Sequence, residues 1–88
     1  MGFRLIYTKR AERDAKKLEK SEPQLKKKAI ELLKMIIENP FQNPPPYEKL
    51  IGDLNGMYSR RINIQHRIVY DVIKEEKAVK ILSMYLHY

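Results

Sequence analysis

Cysteine is absent from these 88 residues. That excludes a disulfide framework and a thiolate metal site, and it suits a reducing compartment. Long apolar runs are also missing, for none approaches the roughly 20 residues of a membrane-spanning helix. The opening residues lack the apolar stretch of a secretory signal. After Gly2, an N-myristoylation signal requires Ser or Thr where Ile6 stands. These absences lead to the expectation of a cytoplasmic protein with no membrane partner. Histidine is scarce, at two residues, and no Asp/His cluster has metal-ligand spacing, so neither metal nor cofactor is expected. Acid is the minority charge: 11 Asp and Glu against 18 Lys and Arg give a net charge of +7. Such a balance favours polyanionic partners, namely RNA, DNA or an acidic protein. Residues 1–40 hold eleven of the cations against six acids, and residues 41–88 seven against five.

The length predicts one domain, residues 1–88, in which roughly 60% of the unfolded surface is buried. Phe3 to Tyr7 alternates as a short strand. Thr8 is placed to cap a helix from Lys9 to about Lys20. Ser21 is placed to cap a second helix, with Pro23 in its first turn and Gln24 completing a capping box. Leu25, Ala29, Leu32, Leu33, Ile36 and Ile37 give that helix a wide apolar stripe, which Asn39-Pro40 ends. Four of the five prolines lie between Asn39 and Tyr47. Pro44-Pro45-Pro46 reads as a stiff polyproline-like stretch that positions Glu48-Lys49-Leu50. Three strands follow, Met57 to Ile62, His66 to Ile73 and Ala78 to about Leu86, with Lys74-Glu75-Glu76-Lys77 as the last hairpin. The fold class is α+β in two layers: an N-terminal strand and a two-helix hairpin packed on an antiparallel sheet.

Alternation assigns Tyr58, Arg60 and Ile62 to one face and Ser59 and Arg61 to the other. It sets Ile68, Tyr70 and Val72 against Arg67, Val69, Asp71 and Ile73. In the last strand it sets Val79, Ile81, Ser83, Tyr85 and His87 against Ala78, Lys80, Leu82, Met84, Leu86 and Tyr88. Both faces mix apolar and polar residues, so the second face reads as a semi-open surface.

A carboxylate, several arginines and a histidine on one sheet match the needs of metal-free RNA cleavage. The 2′-hydroxyl attacks the adjacent phosphorus, a base takes its proton, a cation stabilises the phosphate, and an acid protonates the departing 5′-oxygen. Glu48 is the acid residue on the post-proline segment and the candidate base. Arg61 and Arg67, on neighbouring strands, offer forked cationic donors to phosphate. His87 titrates in the range of a general acid. Tyr85 or Tyr88 suits base stacking or donation to phosphate. Arg60 and Lys49 are further RNA-binding candidates. Each has an ordinary alternative. Glu48 pairs with lysines as a surface acid, Arg60 and Arg61 act as edge-strand charges, and Arg67 pairs with Asp71. His66 serves a turn, Tyr58 and Tyr70 pack, and the helix lysines are a solvated face.

Glu48-Lys49-Leu50, then Leu54 to Ile62, then His66-Arg67-Ile68-Val69-Tyr70, then Tyr85-Leu86-His87-Tyr88 resemble the YoeB (Txe) family of the RelE-like superfamily. The resemblance spans essentially the whole chain and is strongest from Glu48 onward. It implies a toxin that cleaves mRNA on translating ribosomes and is neutralised by a YefM-like antitoxin, with a homodimer left open. It further implies Glu48 as base, Arg67 as phosphate contact, His87 as acid, Arg61 as support and Tyr88 as the tyrosine beside the acid. Two departures stand out: Gln65 replaces an acid common in the family, and Leu86 is extra between Tyr85 and His87. Two other readings are a gyrase-poisoning toxin of the ParE kind and a plain nucleic-acid-binding module on the basic helices.

Overall fold

The computed structural model describes residues 2–85. Strand β1, Arg4–Tyr7, leads into helix α1, Lys9–Ser21, and helix α2, Pro23–Glu38. Strands β2 (Glu48–Lys49), β3 (Tyr58–Arg61), β4 (Arg67–Ile73) and β5 (Ala78–Ser83) complete a five-stranded sheet in the order β1-β5-β4-β3-β2.

Thr8 caps α1 as expected, its Oγ1 accepting from Ala11 N at 3.1 Å. The same hydroxyl lies 3.1 Å from the carbonyls of Ile81 and Leu82, which ties the start of α1 to β5. The α2 cap differs from expectation. Ser21 is the last residue of α1 and its hydroxyl donates to Lys17 O at 2.7 Å, so it has no role in a capping box. Glu22 joins the two helices, and Pro23 occupies the first turn of α2, where its missing N–H costs nothing. Ala29, Leu32, Leu33 and Ile36 of α2 and Ala11 and Leu18 of α1 pack on Ile68, Tyr70, Val79 and Ile81 of the sheet.

The α+β, two-layer reading holds, but the sheet is mixed. β1 pairs parallel to β5, Arg4 opposite Ala78 through Tyr7 opposite Ile81, while the other pairs are antiparallel. The two helices and three strands between β1 and β5 supply the crossover that parallel pairing needs. Strand β2 was not foreseen: two residues are too few to show alternation. β3 receives it through Glu48 opposite Ser59 and Lys49 opposite Tyr58. Gly52 and Gly56, at φ of +74° and +93°, let the chain reverse between β2 and β3. The proline segment bends at Pro44 and Pro45 instead of running as an extended polyproline-like rod.

A β-bulge also corrects the alternation in β5. Tyr70 pairs with Ile81 but Val69 pairs with Ser83, leaving Leu82 as the extra residue. Beyond it the phase inverts. Ser83 turns to the face of Val69, and Met84 joins the core at 3% exposure. The strand itself ends at Ser83, short of the expected Leu86.

Candidate active site

The sheet face away from the helices carries Glu48, Ser59, Arg61, Arg67, Val69 and Ser83, brought into line by the registers of β2 through β5. Among the described residues no helix covers this face, yet Ser59, Val69 and Ser83 are buried. Two hollows meet at Ser59. One, of about 230 Å³, is lined by Leu50, Ser59, Arg67 and Val69. The other, of about 300 Å³, is lined by Pro45, Pro46, Glu48, Ser59 and Arg61.

Arg67 Nη1 donates to Glu48 Oε1 at 3.2 Å and to Ser59 Oγ at 3.4 Å. The Glu48 side chain is 58% exposed and that of Arg67 18%. An ion pair this open contributes at most about 1 kcal/mol, so its place at the hollows owes little to stability. Asp71, the alternative partner, lies opposite Lys80 instead. Arg61 stands directly across from Arg67. Like charges in facing positions destabilise a strand pair. An anion seated between them reverses that sign, because forked guanidinium donors match phosphate oxygens. At the hollows the face therefore offers the accessible carboxylate of Glu48 beside the cations of Arg67 and Arg61, and a buried hydroxyl between them.

The remaining expected residues divide. Lys49 is exposed, but alternation along β2 turns it to the face opposite Glu48, so it does not join the site. Arg60 corrects the expectation of an RNA contact or edge charge. It is 1% exposed, and its guanidinium is committed to Tyr70 Oη and to the carbonyls of Pro40, Gln42 and Pro45. Phosphate cannot reach a cation held in this way. Tyr85 packs beside α1, not at the hollows: its ring stacks on His66 at 4.4 Å, and Lys17 Nζ lies 5.7 Å from its centroid. His66 serves the β3–β4 turn as expected, its N–H donating to Asn63 Oδ1 at 2.7 Å. Its burial under Tyr85 was not foreseen. Gln65 is exposed on that turn, where its N–H also donates to Asn63 Oδ1. His87 and Tyr88 lie outside the described residues.

Burial raises the Tyr70 phenol above its ordinary value, against the lowering effect of the bonded Arg60 guanidinium. Tyr70 packs in the core as expected, and its hydroxyl also joins Arg60 to Pro40 O, a role that the sequence does not show.

Two residues escaped sequence reasoning. Alternation puts Ser59 on the face of Arg61 without marking a role for it, and its period-two spacing from Arg61 is the available signal. Asp14 is a carboxylate on the apolar stripe of α1 between Ala11 and Leu18, a placement that itself signals a buried partner. Its Oδ2 accepts from the backbone N–H groups of Met84 at 3.0 Å and Tyr85 at 3.3 Å. It thereby pins the chain just before the terminal residues.

Residues 5–88 match the family model described as the YoeB-like toxin of bacterial type II toxin–antitoxin systems. A Toxin YoeB of Synechocystis is 31% identical over 86 residues, covering 98% of both chains. A YoeB/ParE toxin from Agrobacterium tumefaciens superposes with a TM-score of 0.88 at 27% identity, over 98% of this chain and 100% of that one. The Staphylococcus aureus YoeB, solved in a heterotetrameric complex with YefM, is 36% identical over the full length of both chains with a TM-score of 0.82. Sequence and fold thus agree along the chain that carries the Glu48–Arg67 face, and the chain belongs to the YoeB family of toxins of bacterial type II toxin–antitoxin systems.

Proposed function

We propose that the protein is an endoribonuclease, an mRNA interferase that cleaves messages on translating ribosomes and so halts translation. The observation that carries this reading is the Glu48 carboxylate held at Arg67 with Arg61 facing it, on an open sheet face of a YoeB-family chain. In this scheme Glu48 takes the proton of the 2′-hydroxyl. The freed oxygen attacks the adjacent phosphorus, and Arg67 and Arg61 stabilise the added negative charge. The bond to the 5′-oxygen breaks, and His87, followed in sequence by Tyr88, donates the proton that this oxygen needs. Neither a metal nor a protein nucleophile enters the balance. The ribosome supplies the alignment of the message, and alignment is a large share of such a barrier.

The net charge of +7 favours an acidic partner, and the Staphylococcus aureus relative is solved both with YefM and as a dimer. A YefM-like antitoxin covering the Glu48–Arg67 face and a homodimer belong to this reading. So does the cytoplasm, where ribosomes work. Toeprinting on translating ribosomes tests it: new stops within the message should appear only when the protein is added. Intact messages, with DNA supercoiling blocked instead, would assign the chain to the gyrase-poisoning readings of this scaffold.

A further inference from the structure

The Arg60 guanidinium is the least ordinary feature outside the site. It is buried at 1% exposure, and among the described residues no carboxylate lies within ion-pair distance of it. Its neutralisation comes from dipoles. Nη1 donates to Pro45 O at 2.7 Å. Nη2 donates to Pro40 O at 3.0 Å and Gln42 O at 2.8 Å. Nε donates to Tyr70 Oη at 3.0 Å, and that hydroxyl donates on to Pro40 O at 2.9 Å. The guanidinium carbon also lies 5.0 Å from the centroid of the Tyr47 ring. Burying a cation is expensive unless hydrogen bonds and charge complementarity offset it. Apart from Tyr70, these partners belong to one loop, residues 40–47, which delivers Glu48.

Phe41 and Tyr47 pack their rings on Tyr58 of β3, at 5.2 and 5.8 Å between centroids, but such apolar contacts leave the loop's carbonyls unsatisfied and its register loosely set. β2 is two residues long, and strands this short do not hold a register unaided. Beyond its pairing with Ser59 and Tyr58, the next tie is the Leu50 N–H donating to Met57 O at 2.9 Å. Prolines supply no N–H donors to the loop, so its carbonyls need donors from elsewhere. Arg60 supplies three of them from the strand that carries Ser59 and Arg61 on its other face.

We infer that Arg60 is a positioning residue: it clamps the proline loop to β3 and so fixes Glu48 at working distance from Arg67 and Ser59. It touches neither substrate nor the reacting atoms. The two faces of β3 divide the labour, with Arg60 setting the loop beneath the sheet and Arg61 serving the hollow above. The catalytic half of this inference rests on the ribonuclease reading; the mechanical half does not.

Arg60→Lys separates the two, since it keeps the charge but loses the fork. Amide hydrogen exchange is measured on the folded variant, with Tyr70→Phe as a milder second variant that removes only the hydroxyl from the clamp. Exchange at Gln42 and Leu50 should rise at least about tenfold in Arg60→Lys and less in Tyr70→Phe, while Ala29 and Leu33 of α2 keep their protection. On ribosomes, kcat should fall about tenfold or more with KM unchanged, the signature of a displaced group and not of lost binding. Unchanged exchange at Gln42 and Leu50 in both variants would overturn the clamp. Loosened loops with wild-type kcat would overturn the positioning of Glu48. If the wild-type chain cleaves no message, the ribonuclease reading fails by that control, and the exchange data still decide the clamp.

Discussion

Glu48 and Arg67 lie on β2 and β4 with β3 between them, yet their side chains meet 3.2 Å apart over the buried hydroxyl of Ser59. The pair bridges an intervening strand because all three residues rise from one face in register. Glu48→Gln keeps the shape and removes the base. Cleavage on ribosomes should fall about 10²–10⁴-fold. The melting temperature should hardly move, since so exposed a pair contributes at most about 1 kcal/mol. Wild-type cleavage by this variant would remove Glu48 from the mechanism.

Arg67 asks more than a positive charge. It reaches Glu48 and Ser59 at once and stands across from Arg61. Lysine keeps the charge but presents a single ammonium in place of a fork. Arg67→Lys should therefore recover only part of the activity that Arg67→Ala loses, and the loss in Arg67→Ala should be about 10²–10³-fold in kcat. Equal rates for the lysine variant and wild type would show that the fork is not used.

Much of this arrangement was legible in the sequence, and what was not has physical causes. The α2 stripe and the Thr8 cap depend on neighbours a few residues away, so periodicity reveals them. Strict alternation groups Ser59 with Arg61 in β3 and Arg67 with Val69 in β4, whereas the register that brings the two groups onto one face comes from the pairing of the strands. The same reasoning failed in β5, where the bulge at Leu82 inverts the phase and no local residue announces it. It failed for Arg60 because a charged side chain on a strand reads as exposed; its burial is set by carbonyls 15 to 20 residues earlier. The parallel pairing of β1 with β5 joins residues more than 70 positions apart, beyond any local pattern. Tyr85 has the chemistry to stack on a base or donate to phosphate, but Asp14 and His66 hold it beside α1, a long-range placement that no local pattern announces.

Alkaline stability should report on Tyr70. Its folded phenol is raised above 10.0 by burial, whereas an unfolded tyrosine loses its proton near that value. Above about pH 10 the unfolded chain then binds fewer protons than the native one, and stability falls as pH rises. Below that pH the contribution is fully present. Denaturant midpoints measured from pH 8 to 11 should fall on the alkaline side, and Tyr70→Phe should make the fall shallower. Tyr7, also raised by burial, leaves a residual slope of the same sign. An unaltered slope in Tyr70→Phe would contradict the burial assignment.

Asp14 fixes the start of the terminal segment through two backbone N–H groups. Asp14→Ala leaves both without their acceptor, a cost of about 1–3 kcal/mol for a buried donor. Amide exchange at Met84 and Tyr85 should accelerate while that at Ala29 in α2 holds, and Asp14→Asn, which keeps an acceptor oxygen, should retain most of the protection. Cleavage should drop with Asp14→Ala, because His87 follows Tyr85 by two residues. Protection at Met84 and Tyr85 that survives in Asp14→Ala would show that the segment is held by other contacts.

The chemistry of the cut ends tests the proton inventory as a whole. If Glu48 removes the 2′ proton and His87 supplies one to the 5′-oxygen, phosphorus is attacked from within the RNA. The fragments must then carry a 2′,3′-cyclic phosphate on one side and a 5′-hydroxyl on the other. Water enters only afterwards, to open the cyclic ester. A mechanism in which water is the nucleophile leaves a phosphate on one end and a hydroxyl on the other with no cyclic intermediate. Mass spectrometry of fragments cut from ribosome-bound message should show the cyclic phosphate as the first product. His87→Gln should slow its appearance about 10²–10⁴-fold, as loss of a general acid does. Removal of His87 and Tyr88 together should abolish cleavage while circular dichroism of the helices and sheet stays the same, since the described core ends at Met84. Fragments with 5′-phosphate and 3′-hydroxyl ends would mean that water attacked, and the roles of Glu48 and His87 would both have to be withdrawn.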